Sequence, residues 1–279
     1  MEKHNDIRPS VEIRQAQQEA AEKIAAAQER GDLTAAESAL NYFSEQMRAF
    51  RDHFESIEKT LGRNFLGVAA WKNVGVAVGE PPPWPDVTLE FLNSECPLHP
   101  GQKIKDTHIL ALIPKAVNGE PYSVRTLDRL SATWSGSGDS LINASGYESW
   151  ESQDWAKAPR AHSEWILIPK IDPDPKVSQT YFRGRNVETQ QKVLEDHYKE
   201  YRGAKALEVM TVALLYYCTH QERLLARLQL RCDEPNSEGD RVNVGYFGGA
   251  GGAYGGLKLL DGWGGRGRIS VGLAIARKL

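Results

Sequence analysis

Eleven of the 25 glycines in this 279-residue chain lie between Gly245 and Gly267. Glycine loses more backbone freedom on folding than any other residue, so a packed core does not accumulate it. What glycine permits is tight turning and close approach of one backbone to another. Between these glycines stand Tyr246, Phe247, Tyr254, Lys258, Asp261, Trp263, Arg266 and Arg268. Stiff rings and guanidinium groups on a permissive backbone are the composition of a recognition surface. Strand-like runs flank the segment, Arg241–Val244 before it and Ile269–Arg277 after it, which disfavours a free linker. Structural hairpins with no ligand are the alternative reading of the same residues. A phosphate-cradling loop is disfavoured, because no Gly-Lys-Ser/Thr follows and no helix pattern opens after the glycines.

Upstream, Val11 to Arg30 is rich in Ala, Gln and Glu, and Ile13, Ala16, Ala20, Ile24 and Ala27 recur at helical spacing. Gly31-Asp32 breaks that pattern, and Thr34 with Glu37 reads as a capping box opening a second helix. Leu40, Phe43, Met47, Phe50, Phe54, Ile57 and Leu61 then form a heptad seam that Gly62 ends. Two such helices predict an antiparallel hairpin whose Phe-rich stripe needs a further surface: a second copy, the rest of the chain, or a partner helix. Asn64–Val78 reads as a short strand pair. Glu80-Pro-Pro-Pro-Trp-Pro85 lacks amide donors and prefers extended geometry, so a stiff linker over residues 81–85 divides a hairpin (1–80) from a larger domain (86–279).

Within that domain Val87–Leu92, Thr107–Ile113 and Trp165–Ile168 read as strands. Ser123 caps a short helix through Leu130, and Asn186 caps an amphipathic helix from Val187 to Tyr201. Ala204–His220 is a helix apolar enough to be buried. Helices early and strands late point to an α+β fold.

The net charge of −3 provides no general attraction for nucleic acid or anionic membrane. Three cysteines, Cys96, Cys218 and Cys232, share no metal-like spacing and cannot pair completely. With no signal-peptide pattern and no apolar run of spanning length, a cytoplasmic protein without a membrane partner is expected.

Tyr201-Arg202 followed by Glu208 inside a helix resembles the Tyr-Arg-Leu-Pro-Thr-Glu-Ala-Glu-Trp-Glu segment of C-type-lectin-fold domains in the sulfatase-modifying (formylglycine-generating) family. Gly245-Tyr246-Phe247, Leu257 and the closing Val271–Arg277 are similar to that fold's ending, which also occurs in the variable proteins of diversity-generating retroelements. The resemblance covers about the last 80 residues. It implies a C-type-lectin-like domain displaying a variable surface for a protein or other macromolecular ligand. Gly203-Ala204 stands where the family has Leu-Pro, and no cysteine follows Cys232. The resemblance therefore implies no copper-dependent oxidase activity here. Glu234-Pro235-Asn236 has the letters of the calcium triplet of sugar-binding lectins, but the accompanying Trp-Asn-Asp is missing and an ordinary turn is expected.

The seven histidines form no close pair with metal-ligand spacing, and no Gly-x-Ser-x-Gly, Gly-x-Gly-x-x-Gly or Cys-x-x-Cys is present. Asp172, Asp174, Glu234, Asp240 and Asp261 read as turn carboxylates. The chain is thus expected to be a non-enzymatic binding module without cofactor or metal, binding through Tyr246, Phe247, Tyr254, Lys258, Asp261, Trp263, Arg266 and Arg268. Residues 11–61 would make it a homo-oligomer or join it to a partner helix. Two other readings stay open: an enzyme or cofactor binder with a central pocket lined by Trp134, Trp150, Trp155 and Trp165, and a coiled-coil assembly protein.

Overall fold

The computed structural model describes residues 9–143, 150, 153–170, 182, 184–235, 239–248, 256–260 and 271–279. In chain order these form α1 (Pro9–Glu29), α2 (Leu33–Leu61), β1 (Phe65–Leu66), α3 (Val68–Asn73), α4 (Leu89–Asn93), β2 (Glu95–Cys96) and β3 (His99–Lys103). Next come α5 (Ile104–Thr107), β4 (His108–Ile113), β5 (Ala116–Val117), β6 (Glu120–Pro121), α6 (Val124–Trp134), β7 (Ile142–Asn143) and α7 (Asp154–Lys157). The remainder is β8 (Glu164–Pro169), α8 (Val187–His197), β9 (Tyr201–Gly203), α9 (Ala206–His220), β10 (Gln229–Pro235), β11 (Arg241–Gly248), β12 (Gly256–Leu260), β13 (Val271–Leu273) and β14 (Ile275–Arg277). The class is mixed α+β with an N-terminal helical pair. Among the described residues no helix is long and apolar enough to cross a membrane.

The chain divides into two units, residues 1–62 with 83–94 and Leu279, and residues 63–82 with 95–278. The division follows Gly62 rather than residue 80, and the Pro-rich stretch is shared between the units instead of separating them.

In the first unit Ala16, Ala20 and Ala27 of α1 are buried, as are Ala39, Phe50, Ile57 and Leu61 of α2. The small alanines let the helices approach closely. The cap of α2 is Asp32, whose carboxylate accepts from the Ala35 amide at 3.0 Å; Thr34 already lies inside the helix. Toward its start the seam is open, with Leu40 51% exposed. Val87–Leu92 is not a strand: Thr88 accepts from the Phe91 amide and starts the helix α4.

The second unit holds two five-stranded sheets, one ordered β1-β4-β8-β14-β9 and the other β13-β10-β11-β12-β7. Every residue of β4 is buried, which its unbroken apolar run requires of a strand covered on both faces. Asn64–Val78 is a two-residue strand parallel to β4 followed by the helix α3, not a strand pair. Trp71 of α3 is fully buried and donates its indole N–H to the Leu112 carbonyl at 2.9 Å. Ser123 and Asn186 cap α6 and α8 as predicted, although α8 ends at His197 and Tyr201 begins β9.

Helix α9 runs through the middle of this unit, buried continuously from Ala206 to Tyr216 and packed against α3, α6, β4, β10 and β11. The closing run is two strands rather than one. Val271–Leu273 pairs parallel with β10 in the second sheet, and Ile275–Arg277 pairs with β8 and β9 in the first. Ala274 makes the transfer: its amide donates to the Arg231 carbonyl at 2.8 Å and its carbonyl accepts from the Ala204 amide at 2.9 Å.

Candidate functional site

Two places in the second unit are candidate sites. The first is the end of the second sheet where the Gly-rich segments attach. A Cβ on Gly245 would lie 1.9 Å from the Leu228 carbonyl oxygen, so only glycine lets β11 pass so close. The next amide, Tyr246, donates to that same oxygen at 2.8 Å, with φ at +46°, a left-handed conformation that non-glycine residues seldom adopt. Opposite, Lys258 pairs with Gly245 and Gly256 with Gly248, so β11 carries one extra residue, a bulge. The bulge coincides with an inward-facing Phe247. Its ring is 2% exposed, meets the Tyr217 ring edge-on at 5.0 Å and has the Arg223 guanidinium 5.7 Å from its centre. Phe247 is therefore a core anchor and not part of a displayed surface.

Tyr246 and Lys258 are half-buried beside it. Tyr254, Asp261, Trp263, Arg266 and Arg268 lie outside the described residues. Their attachment points are fixed nevertheless. Gln229 is paired with both Gly245 and Val271, and Gly248 with Gly256, so Gly248, Gly256 and Val271 gather at one end of the sheet. Leu260 lies at the other end.

The four tryptophans proposed to line a central pocket are dispersed. Trp134 meets Trp71 edge-on, Trp165 stacks on Phe65, and Trp150 is buried. Trp155 alone of the four lines the second place of interest, a cavity of about 640 Å³ at the start of α9.

That cavity is built on a buried ion-pair network. Glu208, in the first turn of α9, is fully buried, and its carboxylate accepts from both Arg202 Nη atoms at 2.9 and 3.0 Å. It also accepts from Arg160 Nη1 at 3.3 Å and from the Lys205 amide at 2.9 Å. Arg160 and Arg202 meet again on Glu164 of β8. Two guanidinium groups thus share two carboxylates and tie β8, β9 and α9 together. Burial alone would push Glu208 up, but the Arg202 hydrogen bonds and charge outweigh it and hold the carboxyl at about 2.

Glu234 borders the same cavity from β10, so it is a strand residue and not a turn carboxylate. Its Oε2 accepts from the Ala206 amide at 2.9 Å, covering a free N–H of the helix start. Burial pushes this carboxyl above its ordinary value, and the nearby Glu208 charge adds to the rise.

A third buried polar group, His108, has Nδ1 2.9 Å from Thr107 Oγ1 and Nε2 2.9 Å from the Tyr201 hydroxyl. Desolvation, helped by the His99 and Arg277 charges, lowers it to about 3, so the imidazole is neutral. Among the described residues no group of three or more His, Cys, Asp or Glu side chains is placed to hold a metal ion.

The residues that sequence reasoning missed here are Arg160, Glu164 and Asp233, which also borders the cavity. The available signal was Glu208 itself, a lone charge in the Ala206–Tyr217 run and hence in need of buried partners. Comparisons of the chain with protein-family models, curated proteins and solved structures returned no match.

Proposed function

We propose that the protein is a non-enzymatic binding module of C-type-lectin-like fold that displays the segments after Gly248 and Leu260 toward a protein or other macromolecular ligand. One observation carries this reading. Both Gly-rich connections run between packed strands of a single sheet, and three of their four attachment points share one end of it. Loops borne on a rigid scaffold are the usual architecture of recognition. The lectin-like reading is supported by the pairing of its two sequence pieces: Tyr201, Arg202 and Gly203 lie against Arg277, Ala276 and Ile275. Phe247 is withdrawn from the surface, leaving Tyr246, Tyr254, Lys258, Asp261, Trp263, Arg266 and Arg268.

Retroelement diversification of this segment is the sharper form of the proposal. Sequencing the locus tests it: a near-duplicate of the coding segment that differs at adenines, beside a reverse transcriptase gene, is expected, and absence of both refutes that form. The display reading is tested separately with a library randomised at these seven positions. Most members should unfold at the parent's temperature, whereas widespread loss of folding would place these side chains in the core.

Self-association through α2 belongs to the same proposal, because Leu33 and Leu40, seven residues apart and so on one side of the helix, are 83% and 51% exposed. Replacing Leu33 with Lys and Leu40 with Glu should leave a monomer in light scattering. An unchanged mass refutes the role of this face.

A further inference from the structure

The cavity at the head of α9 has a charge pattern that selects its ligand, independently of the display surface. Its inner wall is internally neutral: Arg160 and Arg202 are spent on Glu164 and Glu208, and Arg160 is only 10% exposed. An anion would have to compete with carboxylates already seated on both guanidinium groups. Glu234 differs. Its contacts are main-chain amides, its own and that of Ala206, and among the described residues it makes no ion pair. Asp233, 55% exposed, stands beside it against Gly203 and reaches Arg241 at 3.4 Å. Lys205 and His162 also border the space, but both are exposed and solvated. Trp155 and Leu207 contribute apolar wall.

We infer that this cavity binds an alkylammonium or alkylguanidinium group, with Glu234 and Asp233 facing the charge and Trp155 covering the alkyl chain or stacking on the cation. A half-buried carboxylate held by main-chain amides and, among the described residues, without an ion pair gains a partner when a cation arrives, and an aromatic ring adds cation–π attraction. About 640 Å³ lies in the range of small-molecule pockets and accommodates a free amine or the side chain of a bound peptide.

The test is calorimetric titration of the full chain with butylguanidinium and butylammonium (free monocations), N-acetyl-arginine-methylamide (a peptide-borne guanidinium), butyrate and butanol. Binding of at least one of the three cations with no response to butyrate or butanol is expected, and whichever binds tightest identifies the source. Glu234→Gln keeps an acceptor for the Ala206 amide, so it should fold normally while weakening cation binding at least tenfold. Trp155→Leu should weaken it as well, and the Ala206 amide should shift in ¹H–¹⁵N spectra of the parent protein on titration. Butyrate binding as tightly as butylguanidinium, silence of all three cations at millimolar concentration, or an unchanged affinity in Glu234→Gln would each overturn the inference.

Discussion

His108 shows how one side chain makes stability depend on pH. The folded protein keeps its imidazole neutral, at about 3 instead of 6.5, because the ring is buried between Thr107 and Tyr201. The unfolded chain takes up a proton below about 6.5 and the folded one does not. Its contribution is therefore complete above that pH and is lost as the pH falls toward 3. Chemical unfolding of the native protein minus that of His108→Gln should show a difference that shrinks by about 1.4 kcal/mol per pH unit between pH 6 and 4.5. The difference is needed because burial also lowers His220, whose contribution is likewise lost as the pH falls below its ordinary value. Glu208 adds its own loss only below about 4.5, its ordinary value. At Gly245 the constraint is steric. Gly245→Ala should cost about 3 kcal/mol in unfolding free energy, because the backbone at Leu228 would have to move. The sequence showed that glycines here serve close approach, yet it could not show that Phe247, two residues on, turns inward. That follows from a bulge whose partner strand begins beyond seven further residues, four of them glycine.

At the scale of elements, caps and long periodic helices were legible and short elements were not. Ser123 and Asn186 were readable because a hydroxyl or amide before an apolar period satisfies amides locally. Thr88 was missed because Val87, Leu89 and Phe91 alternate as a strand does while the same residues begin a five-residue helix. The choice between Asp32 and Thr34 as cap of α2 can be measured. Asp32→Ala should cost about 1 kcal/mol and Thr34→Ala almost nothing in thermal or chemical unfolding. Helix α9 poses a larger question, since its buried carboxylate serves the fold and borders a cavity at once. Glu208→Gln removes the countercharge from Arg160 and Arg202 and should destabilise the protein by about 3–5 kcal/mol, read from the urea midpoint. A loss below about 1 kcal/mol would show that Glu164 and water suffice for both guanidinium groups.

For the whole molecule, proline composition pointed to a boundary that side-chain packing moves. Pro81–Pro85 cannot be helical, and a stiff linker follows naturally from that fact alone. What composition could not reveal is that the residues before it carry core of the second unit. Leu66 sits in a strand parallel to β4, and Trp71, fully buried, bonds to Leu112 in the same strand. A fragment comprising residues 86–279 would therefore lack the β1 edge and leave a tryptophan-sized void beside Tyr122, whose ring Trp71 meets edge-on at 5.5 Å. Loss of a buried aromatic costs about 3–5 kcal/mol, a large part of the 5–15 kcal/mol that holds a typical domain together. The fragment 63–279 keeps every residue of that unit. It should unfold in one cooperative transition by circular dichroism, while 86–279 should show a broad transition or none. Equal cooperativity in the two would return the boundary to the prolines and reduce β1 and α3 to an appendage of the sheet.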